Sequence, residues 1–125
     1  MRLPVLMGAA FVGVAVGLWP ALGDGGGEVV TGCRVTDGDT IRCGSERIRL
    51  LGIDAPELPG HCRRGRTCAP GDPYASTESL RAAMRGALRI TRVDENRYGR
   101  TLALVSGNLG DLSCWQLSHG QAMYR

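Results

Sequence analysis

The chain contains no lysine: all fifteen of its basic residues are arginine. Histidine is also scarce, with two in 125 residues. The five cysteines are not spaced as paired CxxC or CxxH ligands, which argues against a zinc site. The sequence has no internal repeat and no low-complexity tract beyond residues 25–27. A net charge of +3 is a mild indication of an anionic partner.

The first 23 residues differ from the rest of the chain. Arg2 precedes an almost unbroken apolar run at 5–18, and small residues follow at Ala21 and Gly23. This pattern is typical of a secretory signal sequence, with cleavage near Gly23. An uncleaved membrane anchor is the alternative, although the run is short for a span of about 20 apolar residues. In either case we expect an exported protein, periplasmic or secreted.

About 100 residues remain, a length that suits one small domain with a modest core. We therefore predict a spacer at 24–28 and a single domain at 29–125. The cysteines fit an oxidising compartment, where disulfides staple small domains. The exposed loop at 58–72, rich in Gly, Pro and Arg, is one such place, and Cys62 and Cys68 are predicted to staple it.

Short β-rich runs alternate with turn residues. VVTGCRV, TIRC and RIRLLGI predict a three-stranded meander. A three-residue loop at 37–39 would place Cys33 opposite Cys43, whereas a two-residue Asp-Gly loop would put them on opposite faces of the sheet. We predict the three-residue loop and a disulfide between these cysteines, because directly paired strand positions lie within bridging distance.

The second half of the chain adds two strands and two helices. Asp72 and Pro73 predict the start of a helix that runs from 73 to 86 and ends at Gly86. LRITRV and RTLALV predict strands four and five, and Asp111 caps a short C-terminal helix. Five strands with one helix between strands three and four predict a mainly β, α+β fold built as a closed or partly closed barrel.

Acids and arginines gather at the predicted strand ends: Asp39, Arg49, Asp54, Glu57 and Arg100. Singly, each has an ordinary explanation as a turn or surface residue. Together, carboxylates without His or Cys ligands suit a hard cation such as Ca²⁺, and arginine forks suit phosphate oxygens. This combination predicts phosphodiester hydrolysis. Arg100 shares strand parity with Leu102 and Leu104, which predicts that it lies toward the barrel side.

Three segments carry a resemblance to a known family. VTDGDTIRC, RIRLLGIDAPE and DENRYGRTLALV resemble the signature segments of the staphylococcal nuclease-like (thermonuclease) family, in the same order and at similar spacing. The resemblance runs from about Val29 to Tyr124. It implies an OB-fold with a five-stranded β-barrel, and Ca²⁺-dependent endonucleolytic hydrolysis of DNA and RNA.

The resemblance also implies a metal site and a base. Asp39 and Asp54 match the family's Ca²⁺-binding carboxylates, with the Ala55 carbonyl as a further ligand. Glu57 matches the glutamate that acts as general base for the attacking water.

The remaining matches concern the phosphate. Arg49 and Arg100 match the two phosphate-binding arginines, and the second of these stabilises the transition state. Arg97 and Tyr98 lie where the family contacts a nucleotide phosphate. The expected substrates are single-stranded DNA and RNA, and we expect a monomer without a stable protein partner.

The chain departs from the family pattern in three places, one of which is Cys114, which we expect to be unpaired within these 125 residues. The sequence reaches Arg125 before the family's C-terminal helix, so we expect that helix to be lacking. The loop after Glu57 is longer and carries Arg63, Arg64 and Arg66, for which a solvated surface and substrate contact both remain open. A non-catalytic OB-fold module that binds nucleic acid or a protein is the alternative function. Retention of the acids and arginines favours the enzyme.

Overall fold

A computed structural model describes residues 26–125, so the signal segment predicted at 1–23 lies outside the described residues. The strands are β1 (Glu28–Val30), β2 (Cys33–Asp37), β3 (Thr40–Cys43), β4 (Glu46–Leu50), β5 (Ile53–Asp54), β6 (Leu88–Glu95), β7 (Thr101–Gly107), β8 (Gly110–Asp111) and β9 (Met123–Tyr124). The helices are α1 (Pro73–Ala83) and α2 (Leu112–Ser118). Neither helix in this part of the chain is long and apolar enough to cross a membrane.

The main sheet curls into a half-barrel. Its strand order is β1-β6-β7-β4-β3-β2, with β8 paired to β7, and a second small sheet joins β5 to β9. Strands β1 and β2 follow each other in the chain yet lie at opposite edges of the main sheet, which requires strong curvature. This architecture confirms the predicted mainly β, OB-fold class with two helices.

The strand count differs from the predicted five. VVTGCRV, predicted as one strand, divides into β1, which pairs with β6, and β2, which pairs with β3. Gly32 lies between them with φ +78°, a conformation that glycine adopts without steric cost. The chain bends there so that one run of residues can serve both edges of the sheet.

The first hairpin has the predicted register at its cysteines, but its loop differs from the predicted one. Cys33 lies opposite Cys43 and the two form a disulfide, as predicted. The three-residue loop was wrong, because Asp37 pairs directly with Thr40 and only two residues connect them. A bulge between Val35 and Asp37 adds the extra residue within the strand, and this restores the register.

Both helices begin at the predicted caps. The Asp72 carboxylate accepts hydrogen bonds from the backbone N–H groups of Tyr74 and Ala75 at the start of α1. Asp111 caps α2 in the same way. The predicted end of α1 at residue 86 was wrong: the helix ends at Ala83, and the chain then turns through Gly86, whose φ is +78°, into β6.

The core fills the inside of the half-barrel, and its largest fully buried aliphatic side chains are Ile41, Ile48, Leu50, Ile53, Leu80, Leu88, Ile90, Val105 and Leu112. On β7 the buried positions are Thr101, Ala103 and Val105, whereas Leu104 is exposed. The parity prediction for Arg100 was therefore wrong, since the face that it would share with Leu104 is the outer one. Arg100 itself directly follows the turn that precedes β7, and its side chain lines the cleft described below.

Candidate active site

An arginine fork joins two buried carboxylates at the end of the half-barrel. The register of β3 and β4 pairs Thr40 with Arg49, which brings Asp39 beside the arginine. The Arg49 guanidinium lies 3.1 Å from the Asp39 carboxylate and 3.3 Å from that of Asp54. It also donates to the Ile53 carbonyl at 3.0 Å. Because a planar guanidinium presents several donors in fixed directions, one side chain can hold all three acceptors.

Asp39 is fixed by further hydrogen bonds. Its Oδ2 accepts from the backbone N–H of Ala55 at 2.8 Å, and its Oδ1 accepts from the Thr40 hydroxyl at 2.9 Å. The preceding residue, Gly38, packs against α1 so closely that a Cβ would lie 1.9 Å from the Ser76 hydroxyl oxygen. Glycine is therefore required in this turn, and the turn sets the position of Asp39.

Two arginines that were not predicted to bind the acids also contact them. Arg66 lies 3.3 Å from the Asp54 carboxylate and 2.9 Å from that of Glu57. Arg125 binds the other Asp54 oxygen at 2.8 Å. The arginine run after Glu57 was the only sequence signal for Arg66, and no local pattern pointed to Arg125, which is 71 residues from Asp54.

Four of the predicted residues line one cleft of about 620 Å³, namely Arg49, Glu57, Tyr98 and Arg100, and its other lining residues are Arg47, His61, Arg63, Arg66 and Arg125. Asp39 and Asp54 lie directly beneath it, bound to Arg49. Arg97, a predicted substrate contact, is outside the lining. Six of the nine lining side chains are arginines, so the cleft is suited to a polyanion.

Arg100 has an unsatisfied donor. Its Nε is buried and has no hydrogen-bond partner among residues 26–125. Burial lowers the pKa of the guanidinium, the positive charge of Arg49 lowers it further, and Asp39 opposes the shift. Since buried polar groups are normally paired, this unpaired donor is an exception, and the side chain would have to move for its Nε to meet an acceptor.

Tyr98 binds arginines from different segments of the chain at the cleft. Its hydroxyl accepts hydrogen bonds from Arg63 at 2.6 Å and from Arg97 at 2.9 Å, and these bonds lower the pKa of the phenol. The Arg63 guanidinium also lies 4.3 Å from the ring centroid, a cation–π distance. Arg47 donates to the Tyr98 carbonyl. Arg97 thus reaches the site only through Tyr98.

Asp37 anchors the loop that follows Glu57. This aspartate is buried and accepts hydrogen bonds from the Leu58 N–H at 3.3 Å and from the His61 ring at 3.0 Å. The contact was not predictable locally, because 24 residues separate the two side chains.

The predicted metal ligands fit a hard cation by donor type, since Asp39, Asp54 and the Ala55 carbonyl offer only oxygen. Their carboxylates are bound to arginines in this conformation. Within residues 26–125, the only three ligand groups gathered to within 4.8 Å are those of Glu57, Cys62 and Cys68. The two sulfurs form the predicted disulfide and are not free to bind a metal. Cation binding at the aspartates would therefore require an arginine to move.

The comparisons with known proteins agree with the family resemblance that the three sequence segments carry. No family model matches the chain. It is 37% identical over 93 residues to a micrococcal nuclease from Shigella flexneri, a match that covers 69% of the chain. It is 36% identical over 81 residues to a thermonuclease from Staphylococcus intermedius, a match that covers 58% of the chain. In each case 45% of the relative is covered, so the chain spans less than half the length of these curated relatives.

Proposed function

We propose, because the chain resembles the staphylococcal nuclease-like family, that this protein is a Ca²⁺-dependent endonuclease that hydrolyses phosphodiester bonds of DNA and RNA. The observation that carries the proposal is the convergence of Arg49, Glu57 and Arg100 on one arginine-rich cleft above the two buried aspartates. Two nuclease relatives support the same reaction class.

The chain's own residues supply a base and two fixed positive charges. Glu57 faces the cleft and would accept a proton from the attacking water. Arg49 and Arg100 would each donate to phosphate oxygens. Arg100, which lines the cleft, would stabilise the negative charge that grows on the oxygens of the pentacoordinate phosphorus, where fixed donors lower the barrier most.

A cation would be held by Asp39, Asp54 and the Ala55 carbonyl. When bound there, Ca²⁺ would neutralise phosphate charge and polarise the ester. Tyr98 and, through it, Arg97 would contact the neighbouring nucleotide. We also propose export, which the two disulfides among the described residues support.

The test is cleavage of single-stranded DNA and of RNA by the purified protein, in Ca²⁺ and after addition of a chelator. We expect both substrates to be cut internally in Ca²⁺ and to stay intact with the chelator. Gel-shift measurements on the same samples report binding separately from cleavage. A folded protein that binds Ca²⁺ and nucleic acid and leaves the strand intact would contradict the enzyme and support a binding module.

A further inference from the structure

A short disulfide loop carries an arginine to the acids of the site. Cys62 and Cys68 are joined, and between them the Arg66 N–H donates to the Arg63 carbonyl at 3.0 Å. Gly65 occupies the third position of this turn with φ +82°, which favours glycine there. We call residues 62–68 the stapled loop. Its disulfide and turn limit where its arginines can reach.

The two arginines at the ends of the turn point to different walls of the cleft. Arg63 binds Tyr98, whereas Arg66 binds Asp54 and Glu57. Arg64, between them, is exposed and is not part of the cleft lining. The loop therefore offers a matched pair: Arg66 contacts the acids, and Arg64 has the same charge on the same loop without that contact.

Arg66 binds a carboxylate oxygen of Asp54 that a cation would need as a ligand. Oδ1 of Asp54 accepts from both Arg49 and Arg66, each at 3.3 Å. The Arg49 side chain is 13% exposed and is held by strand β4, while that of Arg66 is 35% exposed and comes from a loop. Of these two arginines, Arg66 is the one that can leave with less disturbance of the fold.

We propose that Arg66 competes with a divalent cation for Asp54, so that the stapled loop limits the cation affinity of the site while it also positions Glu57. The proposal rests on the proposed function for its choice of cation and of base. Binding of Ca²⁺ breaks the contact between Arg66 and Asp54. The disulfide strengthens the competition, because it keeps Arg66 near the carboxylates and reduces the number of conformations in which it is elsewhere.

The experiment measures Ca²⁺ affinity by isothermal titration calorimetry at constant ionic strength, with no nucleic acid present. We compare wild type, Arg66→Ala, Arg66→Lys, Arg64→Ala and the double variant Cys62→Ser/Cys68→Ser. Arg66→Ala should bind Ca²⁺ about fivefold tighter or more, because a direct charge contact is removed. Arg64→Ala should stay within about twofold, because an exposed charge without contact to the acids is screened by salt.

The other two variants should also differ from wild type in Ca²⁺ affinity. Arg66→Lys keeps the charge and loses the planar fork, so its affinity should lie between those of wild type and Arg66→Ala. The Cys62/Cys68 double variant keeps Arg66 and frees the loop, and it should also bind Ca²⁺ tighter than wild type. Thermal unfolding of the Ca²⁺-free proteins checks that each variant is folded.

Equal Ca²⁺ affinity in Arg66→Ala and Arg64→Ala would overturn the proposal, and so would the absence of Ca²⁺ binding by every variant. This result is separable from the nuclease test. A protein that cuts nucleic acid in Ca²⁺ while Arg66→Ala and Arg64→Ala bind the ion alike would keep the function and reject the competition. Tighter Ca²⁺ binding by Arg66→Ala in a protein that cuts no nucleic acid would support the competition and reject the nuclease function.

Discussion

The cleft has two regions that are built differently. Its floor, formed by Asp39, Arg49, Asp54 and Ala55, is largely buried and lies on strands or directly beside them. Its rim, formed by Arg63, Arg66, Tyr98 and Arg125, is more exposed and comes from a loop, a turn and the residue after β9. The floor is held by strand register, and the rim is held by side-chain contacts between distant segments.

Because of this difference, the floor should matter more for the stability of the fold, and the rim more for the attraction of a ligand. The floor packs charge against charge away from water, where an uncompensated group is costly. The rim places charges in solvent, where individual pairs contribute little to folding but add to the attraction of a polyanion. Glu57 and Arg100 lie between the two regions and face the cleft. Changes at the floor, the rim and these two residues should therefore have different consequences.

The largest effect on turnover should come from Glu57 and Arg100, the two residues between the floor and the rim. Glu57→Gln removes the proposed base and Arg100→Ala removes a proposed transition-state donor, so we expect kcat to fall about 100-fold or more in each. The melting temperature should change little. Glu78→Gln and Arg85→Ala, both exposed and outside the cleft lining, serve as matched controls. Near-native turnover in Glu57→Gln and Arg100→Ala would place the chemistry elsewhere.

A stability measurement tests the distinction between floor and rim directly. Arg49→Ala removes the guanidinium that joins two buried aspartates, so we expect the free energy of unfolding to drop by about 3 kcal/mol. Arg63→Ala removes an exposed rim contact and should leave it nearly unchanged. Urea denaturation with intact disulfides measures both. If the two variants lose equal stability, the division of the cleft into floor and rim is wrong.

A smaller, pH-dependent effect should arise outside the cleft. Glu46 on β4 lies 2.8 Å from Arg92 on β6, and this bond, helped by the Thr101 hydroxyl, lowers the pKa of Glu46 from 4.5 to about 2. A carboxylate with a lowered pKa stabilises the fold above its unfolded pKa and loses that contribution as it is protonated. The contribution should be full above pH 4.5 and decline as the pH falls toward 2.

The measurement is a double-mutant cycle of Glu46→Gln and Arg92→Ala, with unfolding followed at several pH values. The coupling free energy should be constant from pH 7 to about 5 and shrink steadily below 4.5. A coupling that grows on acidification would show that the sign of the Glu46 shift is wrong. Cleft variants should not alter this profile, since Glu46 and Arg92 are absent from the lining.

Much of the fold was predictable because its signals are local. The meander of β2, β3 and β4, the Asp72 and Asp111 caps and the Cys33–Cys43 pair were all confirmed. Two of the errors share an origin. The division of VVTGCRV into two strands and the bulge before Asp37 both accompany the curvature of the sheet, which depends on partners distant in the chain.

The candidate site divides in the same way. DGDT, IDAPE and YGR each place an acid or an arginine at a strand end, which local turn chemistry is sufficient to indicate. The functional roles of those residues stay predictions. The contacts of two further arginines with the acids were missed, because Arg125 reaches Asp54 across 71 residues and Arg66 reaches it from the stapled loop.

By itself, the sequence determined where the longer strands and both helices form and which residue types stand at their ends, because backbone preference and capping act over a few neighbouring residues. Only the tertiary structure decided which charges meet. Arg49 joins Asp39 to Asp54 because β3 and β4 pair in one register, and Arg66 covers Asp54 because a disulfide directs its loop. Such pairings depend on three-dimensional distance, which separation along the chain does not specify.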